Sequence, residues 1–169
     1  DVERSRGLGD VYKRQIVENV LRYQADGANI DIEQPDASLR GALTTFVCEL
    51  GAALERAVPG AQLSMDMPIR PISYHSQSEY DYISLAECVD YFVLMAYDMQ
   101  TPDSARTNVT APNSPIDLVE SGLAEFRVIG ISMSKLVLAQ PFFGYVYRCK
   151  SAVPAVHGTS CCLLYTSDA

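Results

Sequence analysis

The chain has 169 residues, of which 48% are hydrophobic and 20% charged, so it can bury a core and is neither disordered nor of low complexity. Its 21 acidic and 13 basic side chains give a formal net charge of -8, and the basic residues are scattered singly. This distribution argues against nucleic acid and against an anionic membrane surface as partners. No apolar run approaches the roughly 20 residues that span a bilayer.

The first part of the chain alternates helical and extended patterns. Apolar residues over 16–21 recur at helical spacing, and the period-two alternation of residues 28–33 then predicts a strand. Apolar residues over 39–54 recur every three or four positions, which predicts one long helix that is ended by a Pro-Gly pair. A second alternation over 63–67 predicts the next strand.

The second part continues the alternation. Residues 80–88 predict a short helix, and the nearly continuous apolar run "YFVLMAYDM", 91–99, predicts a strand covered on both faces, with its first five residues in the core. A proline-containing loop is expected over 100–115. A helix over 117–129 and a strand over 135–143 complete the pattern.

This repetition of strand and helix predicts an α/β fold built from parallel units. Two architectures fit, an open doubly wound sheet or a (β/α)8 TIM barrel, of which four units would be about half of a domain of roughly 250 residues. We expect residues 16–161 to form the partial barrel. Residues 1–15 and 162–169 resemble linker-like, non-native ends and are expected to lie outside the fold.

The stretch "DGANIDIEQ" places carboxylates on one of the predicted strands. Side chains alternate on a strand, so Asn29, Asp31 and Glu33 should point into the barrel while Ile30 and Ile32 pack outward on helices. Glu33 comes last, at the carboxyl end of its strand, where barrel enzymes place their chemistry. Two interior carboxylates repel each other, and one of them usually keeps a proton. A protonated glutamate is a general acid.

Two other interpretations of this stretch stay open. A half-exposed strand could simply show its polar face to water, or the oxygen atoms of Asn29, Asp31 and Glu33 could bind a hard metal ion. The five cysteines, at positions 48, 88, 149, 161 and 162, follow none of the paired spacings that bind zinc. We predict no structural metal and no cofactor.

Two motifs together resemble a known family. Residues 26–33, "DGANIDIE", resemble the D-G-x-D-x-D-x-E signature of family 18 glycoside hydrolases, and residues 95–98, "MAYD", resemble the family's M-x-Y-D. One lysosomal branch of the family also has Asn at the position of Asn29. That branch is similar over 97–100, "YDMQ", in an A-P pair at 111–112, and over 141–149, "PFFGYVYRC". The resemblance covers about residues 16–150 and implies strands 4 to 7 of the barrel.

The resemblance implies hydrolysis of β-1,4 bonds between N-acetylglucosamine units with help from the substrate's own acetamido group. Glu33 would be the general acid and base, Asp31 would hold the acetamido N–H, and Tyr97 would donate to the acetamido oxygen. The other motif residues are assigned to substrate binding, namely Asp98, Gln100 and Tyr145, or to the structure of the motif, namely Asp26, Gly27 and Asn29.

The chain also departs from that branch. Phe142, Phe143 and Val146 replace Trp, Tyr and Asp, which removes polar contacts after the last strand. The branch has cysteines near positions 79 and 89, so its disulfide is expected to be absent and Cys88 to be a buried thiol. Tyr74, Tyr80 and Tyr82 are expected to be packing residues, and Asp66 could support Asp31.

We expect a monomeric glycosidase, lysosomal or secreted, acting on the chitobiose core of N-glycans or on short chitin oligomers. The acceptor sequence at Asn108 and a possible loop closed by Cys149 and Cys161 favour a secretory route. Two alternatives are a lectin that keeps the barrel without turnover, and a truncated chain that neither folds nor turns over. Glu33 favours the enzyme over the lectin.

Overall fold

A computed structural model describes residues 2–72, 79–99, 112–149 and 163–168. Its helices are α1 (Val2–Tyr23), α2 (Arg40–Ala57), α3 (Tyr82–Cys88) and α4 (Ile116–Val128), with short 3-10 turns at Ala37–Leu39 and Met133–Lys135. Its strands are β1 (Gly27–Ile30), β2 (Gln62–Pro68), β3 (Tyr91–Met95), β4 (Leu136–Ala139), β5 (Tyr145–Cys149) and β6 (Leu163–Asp168).

Strands β1 to β4 form one parallel sheet in the order in which they occur in the chain. Neighbours in register share a face, so Ile30, Met65 and Phe92 lie together on the side that the helices cover. The other face carries Asn29 and Asp66 and is not covered by the described helices. The predicted α/β arrangement of parallel units is confirmed, and one face of the sheet is left for a site.

The core between sheet and helices follows the amphipathic pattern of the sequence. Helix α2 buries its apolar stripe, namely Leu43, Val47, Leu50 and Leu54, and ends at the predicted place. Tyr80 and Tyr82 are buried, as expected of packing residues, whereas Tyr74 lies outside the described residues. In β3, Phe92 and Leu94 are fully buried, but Tyr91, Val93 and Met95 are only half-buried because they face the uncovered side. The expectation that all five residues lie in the core is therefore wrong for these three.

Strand β1 is shorter than the alternation predicts. It pairs with β2 only from Gly27 to Ile30, and Asp31 and Glu33 follow in a loop that turns at Gln34, whose φ is 48°. The backbone carbonyl of Ile32 accepts a hydrogen bond from the Tyr80 hydroxyl and not from a strand. Ile30 is buried as expected, but Ile32 is 38% exposed, so the expectation that it packs outward on a helix is wrong.

Cys88 is not a free buried thiol, because it forms a disulfide with Cys48. The bond joins α2 to the end of α3, with the two Cα atoms 4.8 Å apart. Gly51, one turn after Cys48, permits this approach, since a Cβ there would lie 3.0 Å from the carbonyl oxygen of Cys88. Helix α3 therefore packs closely on α2 at this point.

The chain ends carry more regular structure than the sequence pattern indicates. Helix α1 starts at Val2, and Lys13 within it forms ion pairs with Asp10 and Glu49 of α2. Strand β6 pairs antiparallel with β5, which follows a turn after β4. The proposed domain limits of 16–161 stay a prediction. Across the described ranges, we find no helix with the length and apolar character needed to cross a membrane.

Candidate active site

The candidate site lies at the edge where the parallel strands end. The segments that follow β1, β2 and β3 leave the sheet side by side, because the strands are parallel and in register. They carry Asp31 and Glu33 after β1, and Tyr97 and Asp98 after β3. The last residues of the two sequence motifs, 26–33 and 95–98, thus lie at the same edge of the sheet.

Tyr97 is the point at which the acidic groups converge. Partial burial raises the pKa of its phenol, and the negative charges of Asp66, Asp31, Glu33 and Asp98 raise it further, in that order. The hydroxyl therefore keeps its proton at and well above neutral pH, and is available as a hydrogen-bond donor. All four carboxylates lie close enough to affect this one group.

Asp31 and Glu33 are exposed, whereas the alternation predicts interior carboxylates. The reason is that both residues lie beyond the end of β1, in a loop on the uncovered side of the sheet. The loop is anchored to the core, because the hydroxyl of the buried Tyr80 donates a hydrogen bond of 2.8 Å to the carbonyl oxygen of Ile32. Within the described part of the chain, both carboxylates are open to solvent.

A polar group on the open face joins β1 to β2. The side-chain oxygen of Asn29 accepts a hydrogen bond of 2.7 Å from the Ser64 hydroxyl. Burial raises the pKa of the Asp66 carboxyl, a hydrogen bond from Asn29 opposes this, and the charge of Asp31 raises the pKa further. Asp66 thus belongs to the same electrostatic group as Asp31, and Asn29 links it to Ser64.

The segment after β3 is held by contacts from later in the chain. Asp98 has a left-handed φ of 54°, and its backbone N–H donates to the side-chain oxygen of Asn113 over 2.6 Å. Its carboxylate accepts a hydrogen bond from the Tyr145 hydroxyl. The two residues assigned to substrate binding are therefore bonded to each other, and the third, Gln100, lies outside the described residues.

Phe143 replaces a tyrosine of the resembling branch but keeps an aromatic contact. Its ring packs edge-on against Tyr97, with centroids 5.9 Å apart, and against Tyr145 at 6.0 Å. Asn113 donates from its amide to the Phe143 carbonyl oxygen over 3.2 Å. Phe143 thus joins the segments that follow β3 and β4, while Phe142 is fully exposed.

The motif residues before the acids shape the start of β1. The carbonyl oxygen of Asp26 accepts the backbone N–H of Gln62 over 2.8 Å, and Gly27 passes so close to Gln62 that no side chain fits there. Both residues lie where β1 begins to pair with β2, and the structural role assigned to them stays a prediction. Sequence reasoning missed Asn113 and the hydrogen bond from Tyr80 to Ile32. It could have found the contact between Ser64 and Asn29, because the alternation along β2 places Ser64 on the same face of the sheet as Asn29.

Among the residues whose placement the structure describes, no cluster of three or more His, Cys, Asp or Glu side chains could hold a metal ion. The site contains the Tyr97 hydroxyl as a hydrogen-bond donor, exposed carboxylates and a rim of aromatic rings. The carboxyl-terminal edge of a parallel α/β sheet is where barrel-type enzymes place their active sites.

The comparisons identify which of these enzymes the chain resembles. It belongs to the glycosyl hydrolases of family 18, whose family model matches residues 9–160. Mouse di-N-acetylchitobiase is 32% identical over 127 residues, covering 73% of this chain and 34% of that protein. The human di-N-acetylchitobiase is also 32% identical, with 73% of this chain and 32% of that protein covered. The chain spans about a third of the length of these relatives.

Solved structures agree with this assignment. A class V chitinase from Pseudomonas fluorescens superposes with a TM-score of 0.70 at 27% identity, covering 82% of this chain and 42% of that one. A family 18 chitinase from Cycas revoluta, solved with allosamidin, superposes with a TM-score of 0.77 at 21% identity, covering 95% and 51% of the two chains. The predicted fold, part of a TIM barrel, is confirmed.

Proposed function

We propose that the whole protein carrying this chain is a monomeric glycosidase that hydrolyses β-1,4 bonds between N-acetylglucosamine units, in the chitobiose core of N-glycans or in short chitin oligomers. The observation that carries the proposal is that the segments after the parallel strands β1 and β3 bring Asp31, Glu33 and Tyr97 to one edge of the sheet. A proton donor to the substrate and the carboxylates that would move protons thus share one strand edge. The similarity to di-N-acetylchitobiases supports the substrate class.

In the first step, Glu33 gives its proton to the glycosidic oxygen as that oxygen leaves the anomeric carbon. The oxygen of the sugar's own 2-acetamido group attacks the same carbon, which is a recognised exception to the two-carboxylate scheme. Asp31 accepts a hydrogen bond from the acetamido N–H and stabilises the positive charge that forms. Tyr97 donates its proton to a hydrogen bond with the acetamido oxygen and so orients it for attack.

In the second step, the Glu33 carboxylate takes a proton from a water molecule as the water oxygen bonds to the anomeric carbon. The ring formed by the acetamido group opens, and the amide is restored with retained configuration at the anomeric carbon. Glu33 ends the cycle protonated, as it began. Its exposed position beyond β1 is compatible with the entry of water.

The test compares two neutralising substitutions in the whole protein. Glu33→Gln keeps the size of the side chain but removes its acid, and Glu120→Gln makes the same change on the exposed side of α4. General acid and base catalysis contributes about 100-fold to 10,000-fold, so release of N-acetylglucosamine from chitobiose should fall by at least about 100-fold in the first variant only. Calorimetric titration with a chitin oligomer should show retained binding.

Turnover by Glu33→Gln at the wild-type rate would refute the assignment of the acid. A wild-type protein that binds oligomers tightly and never cleaves them would be the lectin considered from the sequence. The disulfide between Cys48 and Cys88 supports a lysosomal or secreted location, because disulfides persist in oxidising compartments. The hints at Asn108 and Cys161 lie outside the described residues.

A further inference from the structure

The Tyr80 hydroxyl contacts the backbone on both sides of Glu33. Tyr80 is 2% exposed, and its hydroxyl donates to the carbonyl oxygen of Ile32 over 2.8 Å. The backbone N–H of Gln34 also acts on this hydroxyl and lowers its pKa. One buried group is therefore hydrogen-bonded to the residue before Glu33 and interacts with the backbone of the residue after it.

The surroundings of Tyr80 make this hydroxyl a fixed point. Its ring packs at 5.8 Å from that of Tyr82, which in turn contacts Phe126 of α4. Burial raises the pKa of Tyr80 to about 12, against the effect of the Gln34 N–H and with small contributions from Glu79, Glu33 and Asp31. The hydroxyl thus stays protonated and remains a donor at any pH at which the protein would work.

Within the residues that the structure describes, few other contacts hold the loop that carries Glu33. Strand pairing stops at Ile30, both carboxylates are exposed, and Gln34 has a left-handed φ of 48° that a non-glycine residue adopts only when its neighbours hold it there. An acid on such a loop needs a fixed backbone, since a displacement of about 1 Å can cost about 100-fold in rate.

We infer that Tyr80 is a positioning residue for the proposed acid, and that its hydroxyl holds the backbone of residues 32–34 so that Glu33 points at the strand edge. Tyr80 acts through the backbone and does not itself touch substrate. This inference rests on the proposed function for its effect on catalysis, but the anchoring of the loop by Tyr80 can be tested without turnover.

The first experiment measures amide hydrogen exchange in the whole protein. Tyr80→Phe keeps the buried ring and removes only the hydroxyl, and Tyr91→Phe makes the same change at the start of β3, the end of that strand away from Tyr97. Loss of the hydrogen bond to Ile32 should loosen the loop, so exchange at the Gln34 amide should become about tenfold faster in Tyr80→Phe and stay unchanged in Tyr91→Phe. Equal exchange in all three proteins would overturn the inference.

The second experiment measures kinetics in the whole protein. Misplacement of the acid should lower kcat by about 10-fold to 100-fold in Tyr80→Phe while KM changes by less than about threefold, because the substrate-binding side chains are untouched. A loss of stability with unchanged kcat would show a merely structural role and overturn the inference. If exchange is faster in Tyr80→Phe but Glu33→Gln turns over at the wild-type rate, then Tyr80 does anchor residues 32–34 and the proposed acid is wrong.

Discussion

Gly27 provides the sharpest test of how β1 is seated against β2. A Cβ atom placed on Gly27 would lie 1.9 Å from the backbone carbonyl oxygen of Gln62, and 2.7 and 2.8 Å from its carbonyl carbon and its nitrogen. Ordinary van der Waals contact begins at 3.4 Å. Gly27→Ala therefore has to separate the two strands by about 1.5 Å at this point, because backbone atoms cannot turn aside as a side chain can.

The cost of that separation has two parts. Overpacking of a well-packed site costs about 1 to 3 kcal/mol. The hydrogen bond from the Gln62 N–H to the Asp26 carbonyl oxygen, now 2.8 Å long, would also be lost, at about 1 kcal/mol. We expect Gly27→Ala to lower the free energy of unfolding by about 2 to 4 kcal/mol, which corresponds to about 4 to 16 °C in Tm for a chain of this size.

The assay is urea unfolding followed by circular dichroism, with Gly41→Ala as the matched control. Gly41 lies within α2, and a Cβ there would meet no atom within 4 Å. The control should gain up to about 1 kcal/mol, since alanine favours a helix over glycine by that amount. The two variants should thus move in opposite directions. A Gly27→Ala protein that unfolds at the wild-type urea concentration would refute the reasoning.

Two further predictions concern stability. The disulfide from Cys48 to Cys88 closes a loop of 40 residues, so the double variant with serine at both positions should lose about 4 kcal/mol in urea unfolding, and an unchanged midpoint after reduction of the wild type would contradict this. The raised pKa of Asp66 means that its contribution to stability is full below pH 3.8 and is lost as the pH rises through its higher folded value. Asp66→Asn should therefore raise Tm relative to wild type at pH 7 and raise it much less at pH 3.5. An equal effect at both pH values would exclude the ionisation of Asp66 as the cause. So would the same pH dependence in the control variant Glu120→Gln.

The elements that sequence patterns predicted well are those with a strong local signal. The apolar stripe of α2 repeats from Leu43 to Leu54, over about three turns, and β2 and β3 carry uninterrupted alternation or apolar runs. Each of these patterns specifies its own element. Strand β1 is different, because where a strand ends depends on its partner. The alternation continues to Glu33, but pairing with β2 stops at Ile30.

In the candidate site, too, some features follow from the local sequence and others depend on contacts between distant residues. The meeting of Asp31 and Glu33 with Tyr97 was predictable, because parallel strands end at one edge of their sheet. The hydrogen bond from Tyr80 to Ile32 joins residues 48 apart, and no pattern near either of them indicates it. The exposure of the carboxylates was also beyond local patterns, because it depends on which elements cover the face of the sheet.

The sequential order of β1 to β4 has a consequence for the growing chain on the ribosome. Of these four strands, β1 and the acidic loop that follows it emerge first, and each later unit can dock on the one made just before it. Tyr80 follows Ile32 by 48 residues, which at about 5 to 20 residues per second leaves the acidic loop without its anchor for about 2 to 10 s. During translation the acidic loop is thus made early and becomes fixed only when the tyrosine beneath it has been added.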